Sequence, residues 1–101
     1  MRLLLFFDLP MLTPTDKRNY RQFHKTLIKN GFIMLQESVY CKLMTTLTVE
    51  ASIKRLLQEN KPPTGIVQYL MLTEKQFAKM ECIVGENKSD IIDSDDRLII
   101  L

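Results

Sequence analysis

Histidine occurs once among the 101 residues, cysteine twice, glycine three times and proline four times. The cysteines, Cys41 and Cys82, lie in apolar surroundings with no C-x-x-C spacing and no histidine nearby, which argues against a zinc site. Reduced thiols in an intracellular protein fit that usage. Glycine is too sparse for a glycine-rich turn of the kind that cradles a phosphate, which disfavours a small-ligand module. A lone histidine, His24, and no second acid beside Asp8 leave no evident general acid for a leaving oxygen. No apolar stretch approaches the roughly 20 residues that a membrane-spanning helix needs. The opening run from Met1 to Phe7 is shorter than the apolar region of a signal peptide and stops at Asp8-Leu9-Pro10. A cytoplasmic protein with no membrane association is therefore expected, and internal repeats and low-complexity segments are absent as well.

What is present is apolar material for one core. Hydrophobic residues make up 46% of the chain, and a single domain spanning residues 1–101 is expected. A monomer of this size buries only roughly two thirds of the surface its unfolded chain exposes, so a dimer is a natural source of added stability. Net charge is +2, but it is unevenly spread. Residues 1–63 carry ten Lys and Arg against five Asp and Glu, whereas residues 64–101 carry four against seven. The first part is suited to an anion such as nucleic acid, and the acidic tail to a basic surface.

Arg2-Leu3-Leu4-Leu5-Phe6-Phe7 reads as a strand covered on both faces, and so as the central one. Thr13-Pro14-Thr15-Asp16 opens a helix, with Thr13 as cap and proline at the first helical position; Asn30-Gly31 closes it. At about 100° per residue, Tyr20, Phe23, Leu27 and Ile28 share one side, and Arg18, Arg21, Lys25 and Lys29 share another. Phe32 to Leu35 and Ser38 to Leu43 form an antiparallel pair across a tight reversal at Gln36-Glu37. Thr48 caps a second helix that packs through Ile53, Leu56 and Leu57, with Lys54 and Arg55 beside them, and that ends before Lys61-Pro62-Pro63-Thr64-Gly65. Ile66 to Leu72 is the fourth strand. Thr73-Glu74-Lys75-Gln76 is a capping box leading a short helix through Met80.

The order strand, helix, strand, strand, helix, strand defines an α+β fold of ferredoxin-like βαββαβ type. Two helices cover one face of its sheet. The other face has no helix, yet the strands are apolar nearly throughout, so a second copy packing sheet to sheet is expected to cover it. Residues 82–96 form an acidic connection, and Arg97-Leu98-Ile99-Ile100-Leu101 is an additional C-terminal strand whose plainest use is to pair with an edge strand of the partner protomer.

An apolar strand ending in Asp8, the Gly31-Phe32 pair followed by Gln36-Glu37-Ser38-Val39-Tyr40, and the closing Arg97-Leu98-Ile99-Ile100-Leu101 together resemble the CRISPR-associated Cas-two family over nearly the whole chain. Leu72-Thr73-Glu74-Lys75-Gln76-Phe77 resembles members from type II systems, which use a single large effector nuclease. The resemblance implies a homodimer, magnesium-dependent endonuclease activity on RNA or duplex DNA, and a place as a DNA scaffold between two dimers of the CRISPR integrase. The family's metal-binding, catalytic aspartate corresponds to Asp8. An aromatic residue, often tyrosine, precedes it in many members; here that residue is Phe7, and a hydroxyl is missing.

One carboxylate is a poor magnesium site, but two Asp8 side chains related by a two-fold axis supply paired oxygen ligands, with waters and phosphate completing an octahedron. The stripe Arg18, Arg21, Lys25 and Lys29 runs about 16 Å along its helix and faces roughly five phosphates of one strand. Lys54 and Arg55 are further candidates for backbone contact. His24 reads as a boundary residue, and Tyr20 and Tyr40 as packed aromatics with a polar tip. The acidic residues Glu86, Asp90, Asp93, Asp95 and Asp96 form either a solvated linker or a dock for a basic patch of the integrase. Two other readings stay open: a stand-alone, toxin-like endoribonuclease of the same fold, and a small-ligand regulatory module.

Overall fold

A computed structural model of the chain describes residues 1–45 and 47–85. Seven elements follow one another: β1 (Arg2–Asp8), α1 (Pro14–Lys29), β2 (Ile33–Gln36), β3 (Val39–Leu43), α2 (Leu47–Glu59), β4 (Ile66–Leu72) and α3 (Glu74–Ala78). The strands form one sheet in the order β2-β3-β1-β4, with β1 antiparallel to both neighbours. This is the ferredoxin-like split βαβ arrangement, with β1 central as its apolar run predicts.

Local chemistry sets the element ends. Thr13 accepts a hydrogen bond from the Asp16 amide while the Asp16 carboxylate accepts from the Thr13 amide, a reciprocal cap with Pro14 at the first helical position. At the other end Asn30 caps α1, Gly31 takes a φ of +87°, and the Lys42 ammonium donates to the Asn30 carbonyl at 2.9 Å. A cation at the negative end of a helix dipole is favourably placed. The Gln36–Val39 pairing leaves only two residues for the reversal, and a bulge between Met34 and Gln36 accompanies it. Thr73 and Gln76 cap α3 in the same reciprocal way as Thr13 and Asp16 cap α1.

Alternation along β1 divides its side chains between two faces. Leu3, Leu5 and Phe7 point to the helix layer and are buried against Phe23 and Leu27 of α1 and Ile53 and Leu57 of α2. Each such side chain contributes roughly 1.5–3 kcal/mol on burial. Phe7 is the centre of this core, with its ring 5.2 Å from Phe23, 5.8 Å from Tyr20 and 5.5 Å from Tyr40.

The opposite face differs from the expectation of a sheet side without a helix. Phe77 of α3 packs there with Leu35 and Cys41, flanked by Leu4, Val39 and Leu72. Arg2, read as part of an apolar run, is the buried anchor of that contact: it makes a 2.6 Å ion pair with Glu74, and its guanidinium lies 4.4 Å from the centre of the Phe77 ring. A guanidinium can be buried here because a carboxylate and an aromatic face replace its water. Ile66 and Leu70 remain about half exposed. Two smaller differences concern α1 and α2. Ile28 is 45% exposed rather than packed, because it falls outside the Phe23–Leu27 stripe, and Thr48 is the second residue of α2 rather than its cap. The helix led by Thr73 ends at Ala78, two residues short of Met80.

Candidate nucleic-acid interface

Asp8 closes β1. Its Cα is paired with that of Ile66 in β4, so the carboxylate stands at the rim of the sheet on the α3 side, exposed to solvent. The β4 entrance is moulded to it. Gly65 has a φ of +95°, and a Cβ there would meet the Asp8 carbonyl oxygen at 2.7 Å, so only glycine lets the two segments approach. Among the described residues no group of three or more His, Cys, Asp and Glu stands together. One protomer therefore offers magnesium a single carboxylate, short of the oxygen shell the ion requires.

Phe7 is buried on the opposite side of the strand from Asp8. A hydroxyl on its ring would enter the aromatic cluster of Tyr20, Phe23 and Tyr40 rather than approach the carboxylate. The polar aromatic groups beside Phe7 are engaged structurally. The Tyr40 hydroxyl is hydrogen-bonded to His24 Nδ1 at 2.5 Å, and the Tyr20 hydroxyl donates to the Glu37 carbonyl. Burial, reinforced by Tyr20 and Glu37, pushes the Tyr40 phenol up to about 12. His24 is thus a boundary residue tied to a core tyrosine, as its position predicts.

Arg18, Arg21, Lys25 and Lys29 are all exposed and project from α1 opposite the Phe23–Leu27 stripe. No ion pair to a carboxylate engages any of them among the described residues. They form one cationic ridge. It lies on the outer surface of the helix layer, whereas Asp8 borders the opposite face of the sheet, so the two predicted features do not share a surface. Arg55 is exposed on the outer side of α2. Lys54 is turned toward β4, where with Leu57, Gln58, Lys61, Pro62, Thr64, Val67 and Tyr69 it lines a groove of about 240 Å³. Lys61 and Tyr69 are members of this groove that local sequence pattern does not mark as site residues. The alternation of Val67, Tyr69 and Met71 toward the helix layer is the signal that places Tyr69 beside α2.

Fold and surface together define a small ferredoxin-like protein that presents cations from its helix layer and a carboxylate from the rim of its sheet. Residues 1–80 match the family described as CRISPR associated protein Cas2. The chain is 52% identical over all 101 residues to a Treponema denticola protein named CRISPR-associated endoribonuclease Cas2, with each chain covered completely. A protein of the same name from Lacticaseibacillus rhamnosus is 46% identical over the full length of both chains. A third, from Streptococcus mutans, is 43% identical over all of this chain and 93% of its own. This chain belongs to the Cas2 family. The crystal structure of Streptococcus pyogenes Cas2 at pH 6.5 has the same fold, with a TM-score of 0.63 over 83% of this chain and all of that one at 21% identity. Among the described residues no helix is long and apolar enough to cross a membrane.

Proposed function

We propose that this Cas2 protein works as a homodimer in CRISPR spacer acquisition, holding duplex DNA as a scaffold between integrase dimers, and carries a nuclease activity at paired Asp8 carboxylates. The cationic ridge of α1 carries the reading. Arg18, Arg21, Lys25 and Lys29 are exposed, and no carboxylate is ion-paired to them among the described residues. Such a ridge suits the phosphate backbone and implies little base readout. Lys54 and Arg55 extend the positive surface on α2. Two ridges related by a dimer axis suit a long duplex better than one.

The dimer is supported by the half-exposed Ile66 and Leu70 on the sheet face that α3 leaves uncovered. Asp8 is at that end of the sheet, opposite Ile66, so a second copy seated on this region brings two Asp8 side chains toward one axis. With its partner's equivalent, Asp8 would hold a divalent magnesium ion. Such an ion would supply Lewis-acid polarisation of a phosphodiester and of an attacking water. The chain's own part is to keep the carboxylate exposed at the end of β1, where Gly65 lets β4 approach the Asp8 backbone.

Alanine at both Arg21 and Lys25 should weaken duplex binding equally across sequences and reduce the slope of log affinity against log salt by about 1.8 per ridge, about 3.6 for a dimer with both ridges engaged, if each cation neutralises one phosphate. An unchanged slope would remove the ridge from the binding surface. A stand-alone endoribonuclease is the second reading; the name that the relatives carry, CRISPR-associated endoribonuclease, supports the activity and not the independence. Family membership and the charged surface leave the small-ligand module without support.

A further inference from the structure

Apart from Lys54, the groove between α2 and β4 plays no part in the duplex reading, yet its lining is chemically selective. Lys54 and Lys61 supply two cations, Gln58 and Thr64 supply hydrogen-bonding groups, Tyr69 supplies an aromatic ring, and Leu57, Val67 and Pro62 supply an apolar floor. Among the described residues no carboxylate lines it. Neither lysine has an ion-pair partner among the described residues. The site is therefore biased toward an anion that also carries a flat apolar surface. Inorganic phosphate would leave the tyrosine and the aliphatic floor unused, and an apolar ligand would leave two ammonium groups desolvated without compensation.

A nucleotide meets both requirements. Combining a positive groove with an aromatic platform is how single strands are held without sequence preference, because every base offers a π face once it is unstacked. Duplex bases are stacked on one another and cannot reach such a ring. The volume, about 240 Å³, lies below the roughly 300–1,000 Å³ of pockets for drug-sized ligands, so the groove accommodates one unit of a strand rather than several. Its position adds direction. Thr64 and Gly65, at one end of the groove, lead directly into the Ile66–Asp8 pairing, so a strand leaving that end runs toward the Asp8 rim.

We propose that the α2–β4 groove is a one-nucleotide subsite for single-stranded nucleic acid, with a base against Tyr69 and the flanking phosphates between Lys54 and Lys61. The subsite rests on the reading that this chain handles nucleic acid, and it assigns the single strand to a surface separate from the α1 ridge. RNA and DNA share the chemistry that the groove recognises, so both belong in the test.

The test uses the full chain and short single-stranded oligonucleotides carrying one 5-iodouridine or 5-iododeoxyuridine, irradiated and mapped by mass spectrometry. The expected result is a cross-link on Tyr69 with RNA, with DNA or with both; the arm that cross-links identifies the strand. Lys54→Ala with Lys61→Ala should weaken single-strand affinity about tenfold and lower its salt slope by about 1.4, the value for two phosphates on a single strand. Cross-links confined to α1, or an unchanged single-strand slope, would overturn the subsite. The duplex reading fails independently: if Arg21→Ala with Lys25→Ala leaves the duplex slope unchanged while the Tyr69 cross-link persists, the ridge is wrong and the groove stands. If the double substitution on α1 lowers the duplex slope and no cross-link forms in the groove, the subsite is wrong and the ridge stands.

Discussion

At the scale of single residues, Asp8 and Phe7 are adjacent in sequence and face opposite environments. Pleating sends Phe7 into the aromatic core and Asp8 to the solvent rim. Removing the carboxylate therefore deletes a charge without opening a cavity. Asp8→Ala should lose metal-dependent RNA cleavage, keep its unfolding midpoint within roughly 2–4 °C (about 0.5 kcal/mol) as expected of an exposed site, and still bind duplex DNA through α1. Cleavage assays and duplex titrations on the same preparation check this. Loss of spacer acquisition together with cleavage, in a folded dimer, would favour the stand-alone endoribonuclease.

At the scale of elements, α3 is held to the sheet by few groups. Arg2 lies between Glu74 and the Phe77 ring, and hydrogen bonding from Arg2 holds the Glu74 carboxyl below its ordinary value of 4.5. A carboxyl lowered in the folded state contributes stability that is complete above the unfolded value and disappears as pH falls through the lowered one. The stability difference between the natural chain and Glu74→Gln should therefore be constant near neutrality and shrink below pH 4.5, which denaturant unfolding at several pH values will reveal. Glu74 is half exposed, so water screens part of this contribution. Glu74→Ala should cost more than Arg2→Met, because it strips a buried guanidinium of its carboxylate, whereas methionine fills the same space without a charge.

At the scale of the whole molecule, the described residues give the sheet one face covered by α1 and α2 and another covered only in part by α3. Leu70, 52% exposed on the uncovered part, tests whether a second copy sits there. Leu70→Asp should shift the protein from dimer to monomer in sedimentation, since an unpaired carboxylate in an apolar interface is strongly unfavourable. The duplex should then bind with a salt slope roughly half that of the dimer, as one ridge replaces two. A Leu70→Asp protein that sediments as a dimer would move the interface to another surface. The terminal strand expected at 97–101 and the acidic stretch from 86 to 96 lie outside the described residues.

Local interactions made much of this protein legible from sequence. The central strand, the capped α1, the Gly31 stop, the tight β2–β3 reversal and the α3 cap all depend on residues within a few positions of one another, and so does the ridge of Arg18, Arg21, Lys25 and Lys29. Tertiary structure decided what lies far apart in the chain. Arg2 meets Glu74 across 72 positions, Asp8 meets Gly65, and Lys54, Lys61 and Tyr69 become one groove only when α2 closes against β4. It also decided that the catalytic candidate and the cationic ridge face different sides of the sheet. Periodicity specifies which side of an element a residue occupies; only the packing of elements specifies what that side meets.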